Sequence, residues 1–242
     1  MFIAQGTDIG KKRSENQDRV FTKFLDENIS VAIVCDGMGG ASSGGVASQL
    51  AIDTIAERIT ANFRKEMNEN SIRNLLLSSV HAANTVVYEK SRDDIEKNGM
   101  GTTCVATLVR GKQIFIVNVG DSRAYLLDGK GITQVTTDHT YVQMLLEQGL
   151  ITAEEAENHK KKNVITRAVG VEPDVEVDYF ELDEDDNFAV FLCSDGLSKY
   201  CDENLIYKTV YEKNLDNAVK ELIDYSNECG GRDNITVAIV AN

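Results

Sequence analysis

The chain has 242 residues, 42% of them hydrophobic and 26% charged, with a formal net charge of −14. That length can bury a substantial core in one large domain or two small ones. The acidic balance weighs against broad nucleic-acid binding, because a phosphate backbone would be repelled; it either aids solubility alone or includes carboxylates that gather around cations.

The first predicted elements are strands at Phe2–Asp8, Arg19–Leu25 and Ser30–Cys35. Two amphipathic helices follow. In Ala47–Phe63 the residues Ala47, Leu50, Ala51, Ile55, Ile59 and Phe63 fall on one stripe; in Ser71–Lys90 the stripe is Ile72, Leu76, Val80, Ala83 and Val87. Strands are next expected at Thr102–Val109, Gln113–Val119 and Arg123–Leu127, with a weaker one at Ile132–Thr136. Arg110-Gly111-Lys112 and Asp128-Gly129 read as hairpin turns, so this stretch is expected to form an antiparallel meander. Tyr141–Gln148 reads as a short helix ended by Gly149, and Thr152-Ala153-Glu154-Glu155 as the capping box of a second. Few apolar residues lie here, so residues 140–166 are expected to form a small surface flap. Strands Val175–Leu182 and Phe188–Cys193, helices Glu203–Glu212 and Asp216–Glu228 ended by Gly230-Gly231, and a final strand Ile235–Ala241 complete the chain. Strands in hairpins and helices in pairs are not the alternation of a parallel sheet. The pattern predicts an α+β sandwich of antiparallel sheets flanked by helix pairs.

The five cysteines, Cys35, Cys104, Cys193, Cys201 and Cys229, form no CxxC pair and show no zinc spacing. Their odd count and scatter favour a reducing compartment. The start, MFIAQGTDIGKKR, lacks an apolar signal region, and no apolar run reaches the length of a membrane span. No linker, low-complexity tract or repeat interrupts the sequence. A soluble, cytoplasmic, monomeric protein of one domain, residues 1–242, is expected, with no nucleic-acid or membrane partner.

The chemistry lies at the strand ends. VAIVCDGMGG (31–40) is an apolar run that empties into Asp36-Gly37, and FAVFLCSDGLS (188–198) repeats the pattern at Asp195-Gly196. Asp121 follows a strand in IFIVNVGDSR, Asp233 precedes one in GGRDNITVAIV, and Asp18 stands at the mouth of one in SENQDRVF. A lone Asp-Gly reads most simply as a turn. The set reads otherwise: runs apolar on both faces suit central strands, and strand ends in two stacked sheets lie roughly 10 Å apart. Crowded carboxylates repel and are driven to protonate unless cations join them. Hard oxygen ligands without His or Cys at ligand spacing select Mg²⁺ or Mn²⁺. Glycine at position 37 permits an unusual backbone path, so its carbonyl can also turn to a cation. A P-loop reading fails because Ser42-Ser43-Gly44-Gly45 has no lysine, and a dinucleotide loop lacks both GxGxxG and its βαβ context. Arg13, in GKKRSENQD, is either part of a solvated basic cluster or a guanidinium that grips a phosphate beside the metals.

At these residues the sequence resembles the metal-dependent protein phosphatases of the 2C type, especially their bacterial serine/threonine branch. The matching elements are Thr7-Asp8-Ile9-Gly10, Arg13 to Asp18, Asp36 to Gly40, Gly101-Thr102-Thr103, Gly120 to Arg123, Thr166-Arg167-Ala168, Ser194 to Leu197 and Arg232 to Thr236, in family order across nearly the whole chain. The resemblance implies a four-layer α-β-β-α sandwich. It also implies hydrolysis of phosphoserine and phosphothreonine in proteins by a metal-activated water, opposing serine/threonine kinases whose phosphorylated products are the partners. Carried over, Asp36 bridges two ions, Asp195 and Asp233 complete the first site, and the Gly37 carbonyl serves the second with Asp18 acting through water. Asp121 joins Asp195 at a third, weaker site, and Arg13 holds the substrate phosphate. Met38 stands where eukaryotic members carry a histidine proposed as general acid. A thioether donates no proton, which leaves a metal-bound water or His139 as donor, unless His139 is a structural histidine at the base of the flap. Two alternatives are a catalytically silent relative that docks phosphoproteins and a phosphatase dedicated to one regulator.

Overall fold

In the computed structural model the described residues are 1–39, 43–93, 99–185 and 187–242. Gly40 and Ser42, both used in the sequence reading, lie outside them. In chain order the strands are β1 (Phe2–Asp8), β2 (Asp18–Asp26), β3 (Ile29–Met38), β4 (Gly101–Thr102), β5 (Cys104–Arg110), β6 (Gln113–Val119), β7 (Arg123–Asp128), β8 (Gly131–Gln134), β9 (Asp178–Asp183), β10 (Ala189–Cys193) and β11 (Ile235–Ala241). The helices are α1 (Ser43–Asn62), α2 (Glu69–Asp93), α3 (Tyr141–Glu147), α4 (Ala153–Glu157), α5 (Asp195–Ser198), α6 (Glu203–Glu212) and α7 (Leu215–Glu228).

The strands form two antiparallel sheets. One has the order β1-β11-β10-β7-β8; the other has β2-β3-β5-β6-β9, with β4 added beside β3. Both runs that end in Asp-Gly are central strands, one per sheet, as their two-sided hydrophobicity requires. In β3 the odd residues Val31, Ile33 and Cys35 pack under α1 and α2. The even residues Ala32 and Val34 meet Val190, Leu192, Ala238 and Val240 of the opposite sheet. On the far side Phe191, Cys193, Val237 and Ile239 pack under α6 and α7. Three apolar layers therefore separate four layers of secondary structure, α-β-β-α, and the strand period of two assigns each residue its layer.

The middle of the chain departs from the expected meander. β5 pairs with β6, and β7 with β8, but β6 and β7 belong to different sheets. The chain crosses between layers at Gly120, whose φ of +107° favours glycine and where a Cβ would come 2.6 Å from Thr103 Cγ2. The expected strand over 102–109 is broken at Thr103, and residues 175–177 fall before β9. Asp36 and Gly37 lie inside β3, not beyond it, because Gly37 continues the ladder by pairing with Thr102. Helix α1 begins four residues earlier than the hydrophobic stripe indicates. Its Gly44 lies so close to Gly37 that a Cβ there would come 2.8 Å from the Gly37 carbonyl carbon, so packing overrides the weak helix propensity of glycine.

Residues 140–166 leave and return through a two-strand neck, where Thr140 pairs with Ile165. The Thr152–Glu155 capping box is present with both of its hydrogen bonds, and α3 buries none of its residues. Cys35, Cys104, Cys193 and Cys201 are buried, Cys229 is exposed, and all five are free. No helix of the described residues is long and apolar enough to cross a membrane.

Leu192 is fully buried between the sheets, whereas Phe24 is 46% exposed. Leu192→Ala is expected to cost about 2–5 kcal/mol and Phe24→Ala to stay within about 0.5 kcal/mol. Urea denaturation of the metal-free protein measures both, and equal losses would contradict the layer assignment.

Candidate metal centre

The even parity that turns Ala32 and Val34 toward the opposite sheet also turns Asp36 that way. Its cross-strand partner is Asp18, the first residue of β2. Asp18 Oδ2 accepts hydrogen bonds from Ser194 Oγ and Thr236 Oγ1, each at 2.7 Å, both supplied by the opposite sheet. Thr236 Oγ1 also lies 2.7 Å from Thr7 Oγ1, which accepts from Asn16 Nδ2. Asp18 Oδ1 is buried and has no hydrogen-bond partner. Burial pushes the Asp18 carboxyl up to about 6, against the two hydroxyl bonds that favour its charged form.

The peptide of Asp36 is held on every side. Its N–H donates to Thr103 Oγ1 at 2.9 Å, and its carbonyl accepts from Thr103 N–H and Thr102 Oγ1, each at 2.9 Å. Because Thr103 Oγ1 accepts from Asp36, its own proton is available to Ser122 Oγ, 2.7 Å away. One threonine thus links the Asp36 backbone to the turn that carries Asp121. The Asp36 carboxyl is held well above the usual carboxylate range, first by burial and then by the charges of Asp18, Asp195, Asp121 and Asp233. Asp36 thus feels the charge of the other four aspartates expected from the sequence.

Asp195 does not sit in a turn. It opens helix α5, which sequence reasoning missed because four residues are too few to show a period. A Cβ at Gly196 would come 1.9 Å from the Asn234 carbonyl oxygen, so glycine is required there by contact rather than by dihedral angle. Position 37 follows the same rule: Gly37 is absent from the positive-φ residues, and a Cβ would come 2.2 Å from the Gly44 carbonyl oxygen. The expectation of an unusual backbone path is replaced by one of close approach. Asp195 Oδ2 pairs with Lys199 one turn on, and Asp195 Oδ1 is buried without a partner. Asp121 is 7% exposed, its Oδ1 also lacks a partner, and burial followed by the charges of Asp195 and Asp138 pushes it up to about 7. Asp233 accepts from Arg13 Nη2 at 2.8 Å, which places the predicted guanidinium at the rim of the cluster with half its side chain exposed.

The profile of protein phosphatase 2C matches residues 5–236. The chain belongs to the protein phosphatase 2C family. It is 37% identical over 239 residues to a serine/threonine phosphatase, Stp, of Listeria monocytogenes, an alignment that covers 97% of this chain and 93% of that protein. The Streptococcus agalactiae serine/threonine phosphatase structure superposes with a TM-score of 0.91 at 33% identity, covering 100% and 99% of the two chains. The catalytic domain of the phosphatase PstP, solved in complex with two manganese ions, superposes at 0.84 with 30% identity, covering 98% and 96%. The α-β-β-α fold expected of a 2C phosphatase is the fold observed.

The family is metal-dependent, and the donors here suit a hard divalent cation. Three carboxylate oxygens, on Asp18, Asp121 and Asp195, are buried without hydrogen-bond partners, a costly arrangement unless a cation takes them. Among the described residues, however, no three His, Cys, Asp or Glu side chains stand close enough to form a ready-made cage. Like charges resist closing further, and Arg13 and Lys199 already pair with Asp233 and Asp195. His139 is buried with Nδ1 accepting from Gly120 N–H and Nε2 against Asp178, the placement of a structural histidine. The supporting residues Thr103, Ser194, Thr236 and Lys199 were not singled out from the sequence. The first three lie within the matched motifs, and Lys199 stands four residues from Asp195, a spacing that meets on a helix.

With metal chelated, the folded Asp18 and Asp121 carboxyls bind protons more tightly than the unfolded chain, whose value is 3.8. Their penalty therefore grows as pH rises from about 4 to about 7 and is constant above. The melting temperature of the metal-free protein should fall between pH 5.5 and 7.5, less steeply in Asp18→Asn, and Mn²⁺ should raise it more at 7.5; a flat profile in the unaltered protein, or a fall undiminished in Asp18→Asn, would contradict the shifts. Thr103→Val, which removes only the hydroxyl, should weaken Mn²⁺ affinity by about 10–100-fold, read by calorimetry.

Proposed function

We propose that this chain removes phosphate from phosphoserine and phosphothreonine in proteins, using divalent cations held between its two sheets. Protein serine/threonine dephosphorylation is the activity of its named relatives, and the protein is an enzyme of that class acting on phosphorylated proteins. The observation that carries the metal assignment is the trio of unpartnered carboxylate oxygens on Asp18, Asp121 and Asp195. In this reading Asp36 would serve two ions, Asp195 and Asp233 would complete one site, and the Gly37 carbonyl, with Asp18 acting through water, would serve the other. Asp121 and Asp195 would make a weaker third. Mn²⁺ or Mg²⁺ fits this all-oxygen set. When bound, such ions acidify a water and neutralise charge on the phosphoryl oxygens.

The residues of the chain supply placement. Asp18 is fixed by two hydroxyls, so its free oxygen keeps one direction. Arg13, tied to Asp233 at the rim, can offer its remaining N–H groups to a phosphate that arrives beside the cations. The three shared apolar layers support a single domain over residues 1–242, with 140–166 as its flap. The phosphoproteins it serves are those made by a serine/threonine kinase.

Hydrolysis of a phosphothreonine peptide should stop on chelation and return with Mn²⁺; turnover that survives chelation refutes the metal reading. Asp36→Asn should lower kcat by about 100-fold or more, since merely disturbing the support of a ligand costs 10–100-fold. Arg13→Ala should act on KM instead, raising it by about 10-fold, the worth of one charged hydrogen bond. Small, equal effects from both would remove these roles.

A further inference from the structure

The neck of the flap is tied to the Asp121 turn through one residue. His139 N–H donates to the Gly120 carbonyl at 3.0 Å, and Gly120 N–H donates back to His139 Nδ1 at 3.0 Å. The His139 carbonyl accepts from Thr166 N–H at 2.9 Å, and Tyr141 N–H donates to the Val164 carbonyl at 2.8 Å, so both strands of the neck are stitched at this point. Arg123, on β7, grips the carboxylate of the preceding Asp138 through Nε and Nη2 at 2.9 and 2.7 Å.

The hydrogen-bond network assigns the ring tautomer. Nδ1 accepts, so the proton of the neutral imidazole sits on Nε2 and is donated to Asp178 Oδ2 at 3.1 Å. Arg167 Nη1 lies 3.0 Å from Nε2, which already carries a proton and cannot accept; Nη1 donates to Asp178 Oδ1 at 2.7 Å, and Nη2 donates to Glu176. Neither ring nitrogen is left for a substrate. The bonded partner of Nδ1 is the residue immediately before Asp121. Gly120 cannot take a side chain, since its φ is +107° and Thr103 fills the space. At Gly120 the turn is held through its backbone groups: the N–H and the carbonyl both bond to His139, and the carbonyl also accepts from Asn118 Nδ2 at 3.3 Å.

We propose that His139 is a positioning residue that sets the Asp121 carboxylate and the flap neck as one unit, through its Nδ1 and main-chain bonds to Gly120. The inference rests on the reading of Asp121 as a cation ligand. A flap drawn toward or away from the sandwich would carry His139 with it, and through Gly120 would reorient the unpartnered oxygen of Asp121.

Two near-isosteric substitutions separate the two sides of the ring. His139→Asn puts a carboxamide oxygen near the place of Nδ1 and keeps the Gly120 bond; His139→Gln puts an amide nitrogen near Nε2 and keeps Asp178 instead. Mn²⁺ binding to the whole protein is titrated by calorimetry, with Asp121→Asn as reference. Asp121→Asn should remove the weakest binding step. His139→Gln should weaken the same step by about 10–100-fold, the usual cost of losing a supporting partner, and His139→Asn should leave it unchanged. Equal effects from the two His139 variants, or no effect from His139→Gln where Asp121→Asn has one, would overturn the proposal. If Asp121→Asn leaves binding unchanged, the ligand reading fails, and amide hydrogen exchange decides the coupling. Joint acceleration at Asp121 and Tyr141 in His139→Gln but not in His139→Asn upholds it, and independent changes overturn it. If His139→Gln does not fold, Asp178→Asn, which leaves Nδ1 on Gly120, should bind Mn²⁺ as the unaltered protein does, and loss there overturns the proposal.

Discussion

Carboxylates within one another's field at the seam of two apolar sheets cannot all ionise unaided, because burial and mutual repulsion both favour the protonated form. Asp36 meets this in its strongest form, with Asp18 directly across the ladder and Asp195, Asp121 and Asp233 approaching from the other side of the seam. The rest of the site can be understood as a response to that tension. Hydroxyls of Ser194 and Thr236 hold one oxygen of Asp18, Lys199 covers Asp195, and Arg13 covers Asp233. What these partners leave over, one bare oxygen on each of Asp18, Asp121 and Asp195, is a demand for positive charge.

The sandwich is what holds the tension in place. Asp36 continues the even register of Ala32 and Val34, residues buried in the seam, so rotating its side chain outward would require the whole strand to flip. The glycines around it serve contact more than flexibility. At Gly37 and Gly196 a side chain would strike a backbone carbonyl, and that closeness brings the start of α1 and the start of β11 against the cluster. A stable apolar frame thus carries a strained polar seam, the division expected where function opposes stability.

Much of this was legible in the sequence, for identifiable reasons. Two-sided apolar runs marked β3 and β10 as central strands, and the Asp-Gly pairs into which they empty marked Asp36 and Asp195 as the residues to watch. The capping box of α4 and the glycine stop of α7 are local chemistry and were found where local chemistry put them. What could not be read was long-range. The crossing at Gly120 separates β6 from β7, although the sequence looks like an unbroken meander. Helix α5 is too short to have a period. The role of Thr103, bonded at once to Asp36 and Ser122, depends on a contact between segments far apart in the chain. The pairing of Arg13 with Asp233, 220 residues away, is of the same kind.

The central claim is that the seam between the sheets takes divalent cations on these aspartates. Anomalous diffraction from crystals grown with manganese tests it most directly. Strong peaks within coordination distance of Asp36, and weakened in Asp36→Asn crystals, are the predicted result. Manganese bound elsewhere, with the carboxylates of Asp18, Asp36 and Asp195 touching no ion, would contradict it.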